Sequence, residues 1–426
     1  MTAEIGILNR QGVALAADSA VTLGLNGKQK VLNSANKLFN LIKGHPVGLM
    51  VYGNGDFLGI PWEVIIHEYR KSFNRKKPFD TLLEYANDFL NKLSDKKYQS
   101  MDSYIGNTYR SLNSLLNPII TKTKNILCEK YPNIEIPPDK VLEIFLDLIK
   151  QEICNFEKLD FISTFNQDDI NIILTNPNLK QIVEACLKDK IQIDFSDEII
   201  NKTTYLCALS QCKDYFNSYT GVVVAGYGDN DLFPTLYEFY VEGIINSKLK
   251  YKLVKESKIY SEDLSGKPTS EILPFAQQEM VHSVLTGIDP DLEYLIVNNL
   301  ESFINSICTI AQQTFNCSNC KISEQQIKTL QEKSLEEIKK MLSFINLQRQ
   351  NCFVSPVYDM VSSLPKEELA NMAETLVNLT SFKRKITMDA ETVGGPIDVA
   401  VISKSEGFIW IKRKLYFDKN LNNHYS

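Results

Sequence analysis

The stretch MTAEIGILNRQGVALAADSAVT, residues 1–22, decides how the rest of the chain is read. Two apolar runs, Ala3 to Leu8 and Gly12 to Ala17, are separated by Asn9-Arg10-Gln11, the pattern of two strands joined by a tight turn. The second run ends on an acidic residue, Asp18, and a threonine stands directly before the first. If an aminopeptidase removes Met1, Thr2 carries a hydroxyl and a free amine within one residue. A threonine hydroxyl is a poor nucleophile at neutral pH, and an amine of pKa about 7.7–8.0 beside it supplies the missing base.

Working outward, strands are expected again at Lys37 to Ile42 and Val47 to Gly53. Apolar residues then recur at helical spacing, first as Phe57, Trp62, Ile65, Ile66 and Tyr69, then as Phe79, Leu82, Ala86, Phe89 and Leu93. From about Asp95 to Phe216 the pattern stays helical, with a start signal at Pro137-Pro138. Strands resume at Thr220 to Gly226, Thr235 to Val241 and Leu249 to Lys255, which read as a meander. Helices are expected from about Pro274 to Leu347 and from Pro365 to Ser381, and strands at Ile397 to Ser403 and Phe408 to Lys412 close the chain. The polar tail after Asp418 reads as frayed. Strand runs flanked by helix pairs point to an α+β, four-layer αββα sandwich of two stacked sheets with helices outside.

Composition narrows the class. The 426 residues carry 46 Lys+Arg against 52 Asp+Glu, a net charge of −6, and no basic stripe that would mark a nucleic-acid footprint. No apolar run reaches the length of a bilayer span, so no membrane partner is expected. Glu4, Arg10 and Asp18 interrupt the apolar stretch that a secretory signal needs, and a cytoplasmic protein is expected. The nine cysteines fit reduced thiols better than a disulfide framework. Cys317 and Cys320 form a single CxxC with no second ligand pair at zinc spacing, so no metal is expected.

The remaining chemistry asks for a cation that keeps the Thr2 amine from holding its proton, a carboxylate that positions the cation, and an oxyanion donor. Lys37 and Asp18 stand at the ends of expected strands, and Gly53 could present a backbone N–H unobstructed by a Cβ. Each has a plainer reading: Asp18 as a turn cap, Lys37 snorkelling from a strand edge, Gly394-Gly395-Pro396 as a tight turn.

Taken together, the blocks resemble a known family. Residues 2–22 look like the start of a mature proteasome β-subunit. NKLFNL, residues 36–41, resembles the strand carrying that family's catalytic lysine, and VGLMVYGNGDFLGIPWEVIIHEYR, residues 47–70, resembles its oxyanion strand and first long helix. TGVVVAGYGDNDLFPTLYEFYVEG, residues 220–243, is similar to its central strands, and MDAETVGGPIDVAVISKSEGFIWI, residues 388–411, to its supporting loop and closing hairpin.

The resemblance covers roughly half the chain, in family order. It implies an N-terminal nucleophile (Ntn) hydrolase, a threonine peptidase or amide hydrolase needing no cofactor, with Thr2 as nucleophile and base, Lys37 tuning the amine, Asp18 partnering Lys37 and Gly53 holding the oxyanion. Val21, Ala35, Val51 and Gly55 would line the pocket for the residue before the cleaved bond.

The chain departs from the pattern in places. TLGLNGKQK, residues 22–30, is longer than the family's connection and is expected as a looped turn. An ungapped match puts Val393 where the family has a supporting serine, while a slip of one residue offers Asp389 and Thr392. A second supporting serine, expected near ILPFAQQE, residues 272–279, has no counterpart beyond the nearby Ser270.

On this reading residues 1–95 form the first half of the core, 96–216 a helical insertion, 217–273 core strands, 274–364 a core helix with a second helical insertion, and 365–426 a core helix, the closing hairpin and the tail. The expected partners are a peptide or amide substrate and other copies of the chain in a homo-oligomer. No feature identifies an unfoldase. Two other functions fit the same frame: a noncatalytic shell or scaffold subunit, and an amidase for small amides.

Overall fold

The computed structural model describes residues 2–25, 28–73, 77–132, 137–191, 193–261, 266–314, 323–387, 393–418 and 421–422. The chain begins with strands β1 (Ala3–Asn9), β2 (Gly12–Ala17), β3 (Val21–Leu25), β4 (Lys28–Leu32), β5 (Leu38–Asn40), β6 (Val47–Gly53), β7 (Asp56–Phe57) and β8 (Ile60–Pro61). The α-helices α1 (Trp62–Phe73), α2 (Leu82–Leu93), α3 (Met101–Lys130), α4 (Pro138–Glu157), α5 (Gln167–Leu174), α6 (Pro177–Lys190) and α7 (Asp197–Cys212) follow. Strands β9 (Thr220–Gly226), β10 (Thr235–Ile245), β11 (Lys248–Lys258) and β12 (Ser270–Ala276) come next. Helices α8 (Glu279–Thr286), α9 (Pro290–Thr314), α10 (Glu324–Arg349), α11 (Ser355–Ser363) and α12 (Lys366–Ile386) precede β13 (Asp398–Ser403) and β14 (Gly407–Lys412). The protein is thus a mixed α/β chain with antiparallel sheets. None of its described helices is long and apolar enough to cross a membrane.

The chain divides into two compact units. The first comprises Met1–Ser34, Ile259–Val401 and Trp410–Ser426. Its sheet has the order β12-β1-β2-β13-β14, with β1 antiparallel to both β12 and β2. Every residue of β1 and β2 is buried, which explains their near-continuous apolar composition. One face, through Ala3, Ile5, Ile7, Ala14, Ala16, Val399 and Val401, packs under α12 with Leu369, Ala373 and Val377. The other face, through Leu8, Val13, Leu15 and Ala400, is equally buried.

Two expectations in this unit are corrected. Helices do not return at Pro274: that residue lies inside β12, paired with Ile5. Because β12 is the edge strand, a proline without an N–H is tolerated there. TLGLNGKQK is not a looped turn either, since β3 and β4 form a hairpin in which Val21 pairs with Leu32 and Leu25 with Lys28.

The second unit comprises Ala35–Lys258 and Ile402–Ile409. Its sheet has the order β11-β10-β9-β6-β5. Val47, Leu49, Val51, Val222, Val224 and Phe239 pack beneath α1 and α2 against Ile65, Ile66, Tyr69 and Phe89. Helix α2 is fixed at its start by a capping box, Thr81 receiving the Glu84 N–H while the Glu84 carboxylate reaches back. The first of these helices begins at Trp62 and not at Phe57, because β7 and β8 form a short pair ahead of it. The opposite face of the sheet, with Leu38, Met50, Val223, Ala225 and Leu236, is also buried. The long helical stretch exists as expected and closes a core of its own, in which Leu112, Leu116, Phe145, Ile149, Val183 and Leu206 come together.

Candidate active site

Thr2 precedes β1 and is 6% exposed; Asp18 follows β2 and is 1% exposed. The β1–β2 pairing brings them together, since the Asp18 N–H donates to the Ala3 carbonyl at 3.1 Å and the Ala3 N–H returns to Asp18 Oδ1 at 3.2 Å. The other carboxylate oxygen, Oδ2, accepts from Ala20 N–H at 3.2 Å and Gly394 N–H at 3.0 Å. Three backbone N–H groups thus converge on the one side chain and fix Asp18 beside the start of β1. The segment 394–396 is fastened here too: Ser19 N–H donates to the Gly394 carbonyl at 3.1 Å, and the Ser19 hydroxyl to the Pro396 carbonyl. Gly395, at φ +77°, has no room for a side chain, because a Cβ would lie 2.7 Å from that of Asn33.

The remaining expected residues lie in the second unit. Lys37 directly precedes β5 and is 6% exposed, and its carbonyl accepts the Val51 N–H at 2.9 Å. That is not the exposure of a lysine snorkelling to solvent. Gly53 ends β6 exposed, at φ +86°, and an added Cβ would meet the Tyr219 carbonyl at 2.6 Å. Glycine is therefore required at 53 by the backbone itself. The following turn is pinned through the Asn54 carbonyl, which accepts from Thr220 Oγ1 at 3.2 Å and Trp62 Nε1 at 3.3 Å.

Of the pocket residues, Val21 opens β3 half-buried, Ala35 is half-buried two residues before Lys37, and Gly55 is exposed with open space around it. Val51 is different, because its side chain is part of the core under α1 and α2. Asp389 and Thr392 lie outside the described residues, as do Cys317 and Cys320. Val393 packs in the core under α12. Ser270 pairs with Asn9, at the opposite end of β1 from Ala3, so roughly 20 Å of strand separates it from the Thr2 end. Its hydroxyl donates to the Tyr358 carbonyl at 2.7 Å. The end of β12 nearest Thr2 is Ala276, which pairs with Ala3 and adopts φ +61°. Gln277 follows, buried, with its side-chain oxygen accepting from Arg384 Nε at 3.1 Å.

Gln277 and a second group were missed by sequence reasoning. In the second unit the Tyr52 hydroxyl donates to the buried Glu238 carboxylate, and Tyr219 stacks on Tyr240 with ring centroids 3.9 Å apart. The Tyr52 ring lies where a Cβ of Gly221 would be. Burial, reinforced by the Glu238 charge, pushes the Tyr52 hydroxyl well above its ordinary range, and burial pushes Glu238 up although the Tyr52 hydrogen bond opposes it. The signal was present in TLYEFYV: alternation puts Glu238 on the same face as Leu236, an inward position where a carboxylate needs a donor.

A cavity of about 260 Å³ in the first unit is lined by Gln277, Glu279, Asp289, Asp291, Lys383 and Arg384 among others. Its cations are already met by acids, Lys383 by Asp289 at 2.7 Å and Arg384 by Glu279 at 3.9 Å. Among the described residues no group of three or more His, Cys, Asp and Glu side chains could hold a metal ion.

No family model matches the sequence, and no curated protein matches it. Among solved structures, the chain aligns with Anbu from Hyphomicrobium sp. strain MC1 over 99% of this chain and 93% of that one, at 9% identity and a TM-score of 0.27. A likeness at that score carries no argument about fold or family.

Proposed function

We propose that this chain is an N-terminal threonine hydrolase of the proteasome β-subunit kind, cleaving amide bonds in peptides or small amides through an acyl-enzyme on Thr2 once Met1 has been removed. The observation that carries the reading is burial. Thr2, Asp18 and Lys37, the three polar residues that the resemblance singles out, are 6%, 1% and 6% exposed. Lysine and aspartate are almost never buried to this degree unless paired, whereas the plain reading of Lys37 requires an exposed ammonium. A four-layer sandwich is part of the proposal, supported by the second buried face of each sheet.

In the proposed reaction the Thr2 Oγ attacks the substrate carbonyl while its proton passes to the Thr2 α-amine. The oxyanion is met by the N–H at Gly53, the C–N bond breaks, and the departing amine takes the proton from the α-amine. Water then adds to the ester carbon and gives a proton to the same amine, the C–Oγ bond breaks, and the amine returns that proton to the Thr2 Oγ as the acid leaves. Lys37 would keep the amine's proton affinity low enough to return that proton, with Asp18 holding the cation in place.

The test pairs intact-mass analysis with amide hydrolysis. Protein lacking Met1 should turn over, and Thr2→Ala should abolish turnover with an unchanged circular dichroism spectrum. Wild-type rates from Thr2→Ala, or turnover by protein that keeps Met1, would contradict the proposal. A noncatalytic subunit is the second reading, favoured by the engagement of the Asp18 carboxylate with the backbone N–H groups of Ala3, Ala20 and Gly394. It expects no turnover from protein that lacks Met1.

A further inference from the structure

Helices α9 and α10 form an antiparallel hairpin whose apolar surface is only half used. The buried edge of α9 runs through Ile304 and Cys308, while Leu292, Ile296, Phe303, Ile307 and Ile310 on the same helix are 44–61% exposed. At 100° per residue these five fall within about 60° of one another, forming a second stripe beside the buried one. On α10, Leu330, Met341 and Ile345 are 41–45% exposed.

The register of the hairpin joins the two stripes. Gln331 Nε2 donates to Asn305 Oδ1 at 3.3 Å and Arg349 pairs with Glu293 at 2.8 Å, which sets Leu330 level with Ile307 and Ile345 level with Ile296. Moving round each helix from the seam, the exposed stripe comes roughly 70–90° before it, and antiparallel helices offset in the same sense present their stripes on one side. The side chains interspersed on the α9 stripe are uncharged, among them Asn299 and Ser306. On α10, Lys328, Glu332, Glu336 and Lys339 lie on the far side, while Glu337, seven residues after Leu330 and four before Met341, shares the stripe and pairs with Lys340 at 2.9 Å.

We infer that this face is the contact between two copies of the chain, closed by a two-fold axis passing near Phe303. Eight large side chains, each about half exposed, amount to on the order of 800 Å², above the largest patch of a typical monomer and equal to one partner's share of a standard interface. Phe303 lies near the middle of α9, so an antiparallel two-fold sets Leu292 and Ile296 of one copy against Ile310 and Ile307 of the other. Apolar meets apolar along the α9 stripe, and Glu337 on α10 keeps its partner Lys340 at 2.9 Å. The product is a four-helix layer of ordinary bundle geometry. The uncharged α9 stripe is complementary to itself and carries nothing that would select a foreign partner. A lipid surface fits less well, because α9 contains no lysine or arginine to meet anionic headgroups. The inference does not depend on catalysis at Thr2.

Sedimentation equilibrium of the full chain tests it. The wild type should associate through a dimer step that 0.5 M salt leaves in place, since the contact is apolar. Phe303→Glu should weaken that step by about a hundredfold or more, each dimer carrying the change twice at a central position. Ile307→Lys is the second variant should Phe303→Glu fail to fold by circular dichroism. Lys339→Glu, on the far side, should leave association unchanged. A wild type that stays monomeric, whether free or bound to phosphatidylcholine–phosphatidylglycerol vesicles, would overturn the inference. So would association that survives both face variants.

Discussion

The helices α3–α7 and the hairpin α9–α10 are both long additions to strand-rich units, yet they differ in what they bury. The first set closes a core of its own, with Leu112, Phe145, Ile149, Leu179 and Leu206 essentially inaccessible. It is also locked to a sheet by charge: the Lys250 ammonium, wholly buried on β11, meets Glu242 at 2.6 Å and donates to the carbonyls of Ser210 at 2.7 Å and Tyr215 at 2.6 Å. Ser111 on α3 donates to the same glutamate at 2.9 Å. The hairpin has no such centre. Helix α10 has no buried residue, and α9 buries only Ile304 and Cys308 among its described side chains. Helical stability in proteins comes mainly from burying an apolar face, so one addition is complete within the chain while the other keeps its apolar surface for something else.

Three substitutions would break or sharpen this contrast. The largest effect is expected from Lys250→Met, which leaves Glu242 buried without its cation and should cost about 3–5 kcal/mol in urea unfolding. Adding Glu242→Leu should recover most of it, because a well-packed apolar pair substitutes for a buried ion pair. A loss under about 1 kcal/mol in the single variant would show that the junction is not electrostatically locked. A smaller effect, about 0.5–1.5 kcal/mol, is expected from Ile149→Val in the centre of the α3–α7 core. The smallest belongs to the hairpin. Phe303→Ser, at 61% exposure, should change the unfolding free energy of the separated monomer by no more than about 0.5 kcal/mol. A loss as large as that at Ile149 would mean that Phe303 is packed within its own chain.

The strands whose spans could be read to the residue are among those buried on both faces. The spans read for β2, β6 and β9 coincide with the observed ones, because continuous apolar runs bounded by glycine or polar turns leave little choice. The β3–β4 hairpin was not legible, since VTLGL and KQKVL mix charge and glycine in a way that resembles a loop. Nor was β12: Pro274 reads as a helix signal, and only its place at a sheet edge makes it acceptable in a strand.

The candidate site divides in the same way. Asp18, Lys37 and Gly53 sit at strand ends that the pattern makes visible. Gln277 follows the strand misread as helix, and Glu238 is hidden among aromatic residues in β10. The role of Gly53 also looks different from the backbone outward, where the Tyr219 carbonyl already forbids a side chain.

The central claim is that Thr2 carries both nucleophile and base, and covalent labelling tests it most directly. Protein shown by intact mass to lack Met1 is treated with a series of peptidyl epoxyketones, and the modified peptide is located by mass spectrometry. Such a warhead forms a ring only when hydroxyl and amine belong to the same residue. The account predicts one adduct, on the peptide beginning with Thr2, strongest for a medium-sized apolar group beside the warhead and absent in Thr2→Ala. Folded protein without Met1 that takes no adduct from any member of the series would contradict it.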